Sequence, residues 1–139
     1  MTDRVSSEIR SRMMAAVRGA DTLPELYVRQ RLFAEGFRYR LHAKDLVGKP
    51  DIVLPRFRIV VFVHGCFWHG HFCPRGKRPV SNVQFWNTKI DGNMRRDQHN
   101  RILLKAAGWS AVVLWECRLE RATEALLRRL RTLSAFRRD

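Results

Sequence analysis

Twelve consecutive residues, Phe62-Val63-His64-Gly65-Cys66-Phe67-Trp68-His69-Gly70-His71-Phe72-Cys73, hold three of the chain's five histidines, two of its three cysteines and three phenylalanines. Imidazole and thiolate together suit zinc, and exposed flat rings are surfaces on which bases stack. Cys66, His71 and Cys73, joined by the distant Cys117, make a Cys₃His set that would close a tetrahedral site. With four protein ligands there is no place for water, so the metal would be structural. On composition alone His69 serves equally well as the fourth ligand. An odd number of cysteines cannot all pair with one another, and a reducing compartment keeps thiols available to a metal. A structural zinc here could add up to roughly 10 kcal/mol of folding free energy.

A second chemistry lies beside the first. Asp51 follows Pro50 and opens an apolar strand, where a carboxylate can point out of the sheet edge and hold a hard cation that keeps open water positions. Such a cation polarises a phosphoryl oxygen and activates water. His64 and His69 fall just past the end of the next strand, which a hairpin would return to Asp51, and a neutral imidazole is a suitable base near neutral pH. One Asp beside a Pro is most often a turn residue, and one loop histidine is as often merely hydrogen-bonded. Their coincidence favours a water nucleophile. Phe67, Trp68 and Trp86 lie around the same loop, where apolar rings can wedge between base steps that are already poorly paired. Trp109 and Trp115 are expected in the core.

These groups need elements to carry them. Thr22 or Asp21 caps a first helix with Pro24 and Glu25 in its opening turn, Leu26, Leu32 and Phe33 on its apolar side, and Gly36 at its end. Phe37 to Leu41 alternates as a half-exposed strand, Asp51 to Leu54 reads as another, and Ile59 to Val63 as a central buried one. The stretch from His64 to Ser81 is irregular, which in a compact domain implies a functional or ligand-organised loop. Helix returns from Asn82 to Ala107 with an interruption expected at Gly92, and its spacing offers Phe85, Trp86, Ile90, Met94, Ile102, Leu103 and Ala106 as the apolar set. A strand over 111–115 and a helix over 119–133 follow. The expectation is an α/β fold with a mixed central sheet flanked by helices, in which residues 21–139 form a single domain behind a basic arm or helix over residues 1–20.

Twenty-seven Lys and Arg against thirteen Asp and Glu leave a net charge of +14, which favours a nucleic-acid partner. No run is long and apolar enough for a membrane helix, so no membrane partner is expected, and the cytoplasm is the default location.

The motifs Arg10-Ser11-Arg12-Met13-Met14, Pro24-Glu25, Gly48-Lys49-Pro50-Asp51, Val61 through His69, His71-Phe72-Cys73, Phe85-Trp86 and Leu114-Trp115-Glu116-Cys117 together resemble the very-short-patch repair endonucleases. The resemblance runs from Arg10 to the final helix and implies a restriction-endonuclease-like core with a structural zinc site. It also implies a monomer that nicks the T-containing strand of double-stranded DNA, 5′ of the T in T:G mismatches left by 5-methylcytosine deamination. By the same resemblance Asp51 and the main-chain carbonyl of Val63 hold Mg2+. His69 is the base for water, and Glu25 and His64 support the site. Cys66, His71, Cys73 and Cys117 hold Zn2+. Phe67, Trp68 and Trp86 wedge into the duplex, and Met14 intrudes from the opposite groove. Many nucleases of this core carry a second acid and a lysine on the strand after the Asp, where this chain has Phe62-Val63-His64; that shifts the burden to His69. Two other classes compete: a zinc-stabilised module that recognises distorted DNA without cutting, and a dimeric nuclease that cuts paired DNA on both strands.

Overall fold

The computed structural model describes residues 22–136. The arm expected over residues 1–20, Met14 included, lies outside the described residues. Helix α1 (Leu23–Ala34) is followed by strands β1 (Arg40–Leu41), β2 (Ile52–Leu54) and β3 (Ile59–His64), helix α2 (Val83–Ala106), strand β4 (Ser110–Trp115) and helix α3 (Leu119–Phe136). The four strands form one mixed sheet in the order β1-β2-β3-β4. β1–β2 and β2–β3 are antiparallel and β3–β4 is parallel, the irregular segment and α2 supplying the crossover that a parallel pair needs.

Strand alternation decides which face each helix covers. Ile52, Leu54, Ile59, Val61 and Leu114 point to one side and pack with Val28 and Leu32 of α1 and Leu126, Leu127 and Leu130 of α3. Val53, Val60 and Phe62 point to the other side and meet Leu104 of α2. A sheet covered on both faces explains the near-continuous apolar run of β3. Arg31 on α1 reaches Glu124 of α3 at 2.7 Å, and Arg131 reaches Glu35 at 2.6 Å, tying the two helices at their outer edge.

The structure adjusts several expectations. Thr22 is the cap of α1, its hydroxyl accepting from Glu25 N–H at 3.1 Å. The buried face of α1 is Glu25, Val28 and Leu32, whereas Leu26 and Phe33 are exposed, Phe33 by 76%. Only Arg40 and Leu41 of the expected first strand pair. Arg40 faces Val53, so Arg38 would face Pro55, which has no N–H to offer the ladder. Helix α2 runs unbroken through Gly92, whose Cβ position is open space; packing elsewhere along the helix offsets a cost of about 1 kcal/mol. Its buried residues are Ile90 and Leu104, while Phe85, Met94, Ile102 and Leu103 are exposed.

The two neighbours on α1 make the contrast measurable. Leu32→Ala is expected to lower unfolding free energy by about 2–5 kcal/mol in urea titrations, and Phe33→Ala by no more than about 0.5 kcal/mol.

Candidate active site and metal centre

The register of the β2–β3 hairpin places Ile52 opposite Val61, so Asp51, in the bend just before β2, lies beside the last residues of β3. There Val63 N–H donates to Asp51 Oδ2 at 2.7 Å. Burial pushes the Asp51 carboxyl up to about 6 in spite of that hydrogen bond; the negative charge of nearby Glu25 pushes the same way, while His42 and His69 oppose it. The sheet thus brings Asp51, Val63, His64 and His69 to one end, with Glu25 of α1 close enough to be felt.

His64 ends β3 and is buried. Loss of solvent drives its imidazole down to about 3, with the neighbouring His69 adding to the effect, so His64 is neutral at physiological pH. Its ring lies flat on His69, with centroids 3.7 Å apart and planes 2° from parallel. His69 Nδ1 is 2.6 Å from Asp97 Oδ2. Burial raises the Asp97 carboxyl, but the contact with His69 outweighs it and holds the group below its ordinary value. We assign the proton to Nδ1, which leaves Nε2 as the acceptor. His64, His69 and Asp97 are mutually near enough to suggest a metal cluster. Two parallel, stacked imidazoles cannot aim their in-plane lone pairs at one ion between them, and Asp97 is already engaged with His69. The His69 ring is held at one edge by Asp97 and on one face by His64.

The loop after β3 folds back on itself and on α2. His69 N–H donates to Gly65 C=O at 3.3 Å and His71 N–H to Cys66 C=O at 3.0 Å. Asn93 Nδ2 of α2 donates to Trp68 C=O at 3.0 Å, and Arg78 bridges to Asp91 at 2.8 Å. Gly70 has φ +66° and lies against Met94 and Ile90, so both backbone conformation and close approach require glycine there. Gly76 sits so close to the His71 carbonyl that no Cβ would fit.

These turns gather Cys66, His71, Cys73 and Cys117, whose ligand atoms all lie within 4.8 Å of one another. Cys66 N–H donates to Glu116 Oε1 at 3.2 Å, fastening the loop to the end of β4. Burial, reinforced by hydrogen bonds among the crowded sulfurs, pushes the Cys66 thiol up to about 12. Cys117 moves the other way: burial is outweighed by the nearby Arg118 and by the other two cysteines. Sulfurs drawn together with an imidazole, one thiol strongly averse to ionising alone, fit a borderline-soft metal ion that would take their charge. His71 is the imidazole in this group, and His69 is committed to Asp97 instead.

Phe67, Trp68 and Trp86 form a three-ring cluster with centroid separations of 5.1, 5.3 and 5.9 Å and edge-on geometry. A cleft of about 500 Å³ opens beside His69, lined among others by Met94, Arg95, Asp97, Arg101 and Trp115. Trp115 is therefore a wall of the site, stacked on His71 at 4.1 Å, and not the core residue its composition suggested. Asp97 was missed by sequence reasoning as well. The signal was available: it follows Ile90 and Asn93 at helical spacing on the face of α2 that meets the loop, an acid among Arg95 and Arg96.

The sequence model of the family described as DNA mismatch endonuclease Vsr matches residues 2–75 of this chain. Over 132 residues the chain is 50% identical to the type II nicking enzyme V.XorIIP of Xanthomonas oryzae pv. oryzae, covering 94% of this chain and 97% of that one. It is 48% identical over 120 residues to the type II nicking enzyme V.NmeAIP of Neisseria meningitidis, with 86% of each chain covered. It is 38% identical over 134 residues to the DNA mismatch endonuclease Vsr of Escherichia coli K12, covering 94% of this chain and 86% of that enzyme.

The raised Asp51 pKa has a measurable sign. Between about pH 4 and about pH 6 the folded protein keeps this proton while the unfolded chain has lost it, so stability falls as pH rises through that window and stays lower above it. In magnesium-free buffer, Asp51→Asn is expected to raise unfolding free energy by about 1–3 kcal/mol at pH 8 and by less at pH 5. Urea denaturation at the two pH values reads the difference.

Proposed function

The chain belongs to the DNA mismatch endonuclease Vsr family, and from that premise we propose that it nicks the T-containing strand of a T:G mismatch, 5′ of the T. The observation that carries this reading is the convergence, at one end of the sheet, of Asp51, the His69–Asp97 pair and the Phe67, Trp68 and Trp86 rings.

The residues fit a hard cation. Asp51 is a desolvated carboxyl whose ionisation is resisted by a second acid, Glu25, and positive charge would relieve both. Asp51 and the Val63 carbonyl would hold Mg2+, which would supply positive charge to the phosphoryl oxygens as water attacks the phosphorus. His69 Nε2 takes the proton from the attacking water as the new P–O bond forms and the strand's P–O bond breaks. Asp97 keeps the ring in the required tautomer and stabilises the imidazolium produced. His64, neutral and stacked, blocks rotation of His69 without competing for the proton. Arg95 and Arg101 draw phosphates into the cleft. The three rings test the stack: inserting them costs a few kcal/mol of unstacking, least where pairing is already faulty. The Cys66, His71, Cys73 and Cys117 set fits zinc in a closed, structural role.

The reading of a binding module that does not cut leaves the hydrogen-bonded His69–Asp97 pair without purpose. Cleavage of both strands of paired DNA makes no use of rings that exploit a weak step.

A duplex with a single T:G mismatch and its fully paired counterpart test the assignment. The T strand of the mismatched duplex is expected to be nicked in magnesium, the paired duplex spared, and neither cut without the ion. Asp51→Ala should abolish nicking, and His69→Ala should slow it by about 10²–10⁴-fold, both with DNA affinity preserved. Equal cutting of the two duplexes would refute the assignment. For the metal centre, Cys117→Ser is expected to lose bound zinc, measured by elemental analysis, and to melt about 10 °C lower or more.

A further inference from the structure

One residue touches both acids of the site. The backbone N–H of His42 donates to the carbonyl of Asp51 at 3.0 Å, and its Nε2 lies 2.6 Å from Oε1 of Glu25. Glu25 is 1% exposed, and the same oxygen accepts from Arg29 Nη2 at 2.6 Å. Arg29 Nη2 is also 2.8 Å from His42 Nε2, so the imidazole nitrogen is within hydrogen-bond reach of both members of the Glu25–Arg29 pair.

β1 ends at Leu41, and the His42 N–H to Asp51 carbonyl bond continues its register by one residue, with His42 at φ +49°. Histidine is among the side chains that adopt this left-handed conformation more often than most, and Lys49, Arg58 and Asn82 adopt it too.

We propose that His42 is a positioning residue for the nicking reaction: its side chain fixes Glu25 of α1 and its main chain fixes the Asp51 bend, so that both acids face one divalent cation. This rests on Asp51 being the ligand of that cation. Arg29 shares the same Glu25 oxygen. His42 adds direction, because its ring and its amide belong to one residue and set the spacing between the two acids. Groups that orient a metal ligand commonly change metal affinity by about 10–100-fold when removed.

Binding of Mn2+ to the full chain, with its Cys/His centre loaded, is read by electron paramagnetic resonance and needs no turnover. His42→Asn keeps a residue that tolerates the left-handed backbone but shortens the side chain; Mn2+ affinity is expected to fall by about 10–100-fold. His42→Gln retains a donor of similar reach and is expected to stay within about threefold of the unmodified chain. The magnesium concentration for half-maximal nicking should move in parallel, with DNA affinity unchanged. Full Mn2+ affinity in His42→Asn would overturn the proposal, and so would a His42→Gln as weak as His42→Asn. Should the expected Mn2+ pattern appear while T:G duplex stays intact, the role of His42 stands and the substrate assignment falls.

Discussion

A carboxyl group held out of water at the mouth of a hairpin, with one backbone N–H as its donor, is an unfavourable thing to build. Asp51 is in that position: Val63 N–H meets it at 2.7 Å, and burial outweighs that bond to hold the proton up to about 6. The contact exists because the β2–β3 register sets Ile52 against Val61, and that register is fixed by which residues must face which helix layer. A slip of one residue would turn Val53 and Val60 toward α1 and α3, and would carry Asp51 away from Val63. The same burial that forms the core therefore fixes the position of the acid, and the acid is destabilising until something positive shares its space.

The loop after β3 depends on that frame. It has little secondary structure, so its shape comes from close packing and cross-links: Gly70 against Met94, Asn93 on Trp68, Asp97 on His69, and Cys66 to Glu116 at the end of β4. It supplies three of the four sulfur and imidazole ligands, and the fourth, Cys117, follows β4, so a bound ion would join the loop to the strand end. Lone thiols crowded as Cys66 is would resist ionisation, so metal and loop conformation are expected to stabilise each other.

What the sequence revealed follows the range of the forces involved. The continuous β-branched run Ile59 to Val63 made β3 legible as a buried strand, its nearness to Asp51–Leu54 pointed to the hairpin, and the density of ligands between His64 and Cys73 pointed to the site. Terminal details depended on partners far away. Residues Phe37 to Tyr39 alternate well enough for a strand, but Pro55 across the ladder denies them a donor. Leu26 and Phe33 looked as apolar as Leu32, yet only the placement of α3 decides which side of α1 is covered. Gly92 broke a local rule that helix packing overrode. Asp97 and His42 escaped because polar residues on a helix face or after a short strand read as solvated; their partners, His69 and Glu25, lie 28 and 17 positions away in sequence, as the paired numbers show.

The arrangement also bears on how recognition and chemistry are linked. Trp68 and His69 are adjacent in sequence and both are fastened to α2, the first through its carbonyl to Asn93, the second through its ring to Asp97, one helical turn further on. Trp86 belongs to the first turn of that same helix and packs edge-on against both Phe67 and Trp68. The rings proposed to enter the base stack and the imidazole proposed to take the proton thus share one support, with no hinge between them. A duplex that accepts the rings would carry its phosphate to a fixed place relative to His69, and one that refuses them would hold it away. Discrimination of this kind acts on the approach to the transition state, because the binding energy of insertion is spent in aligning the scissile phosphate.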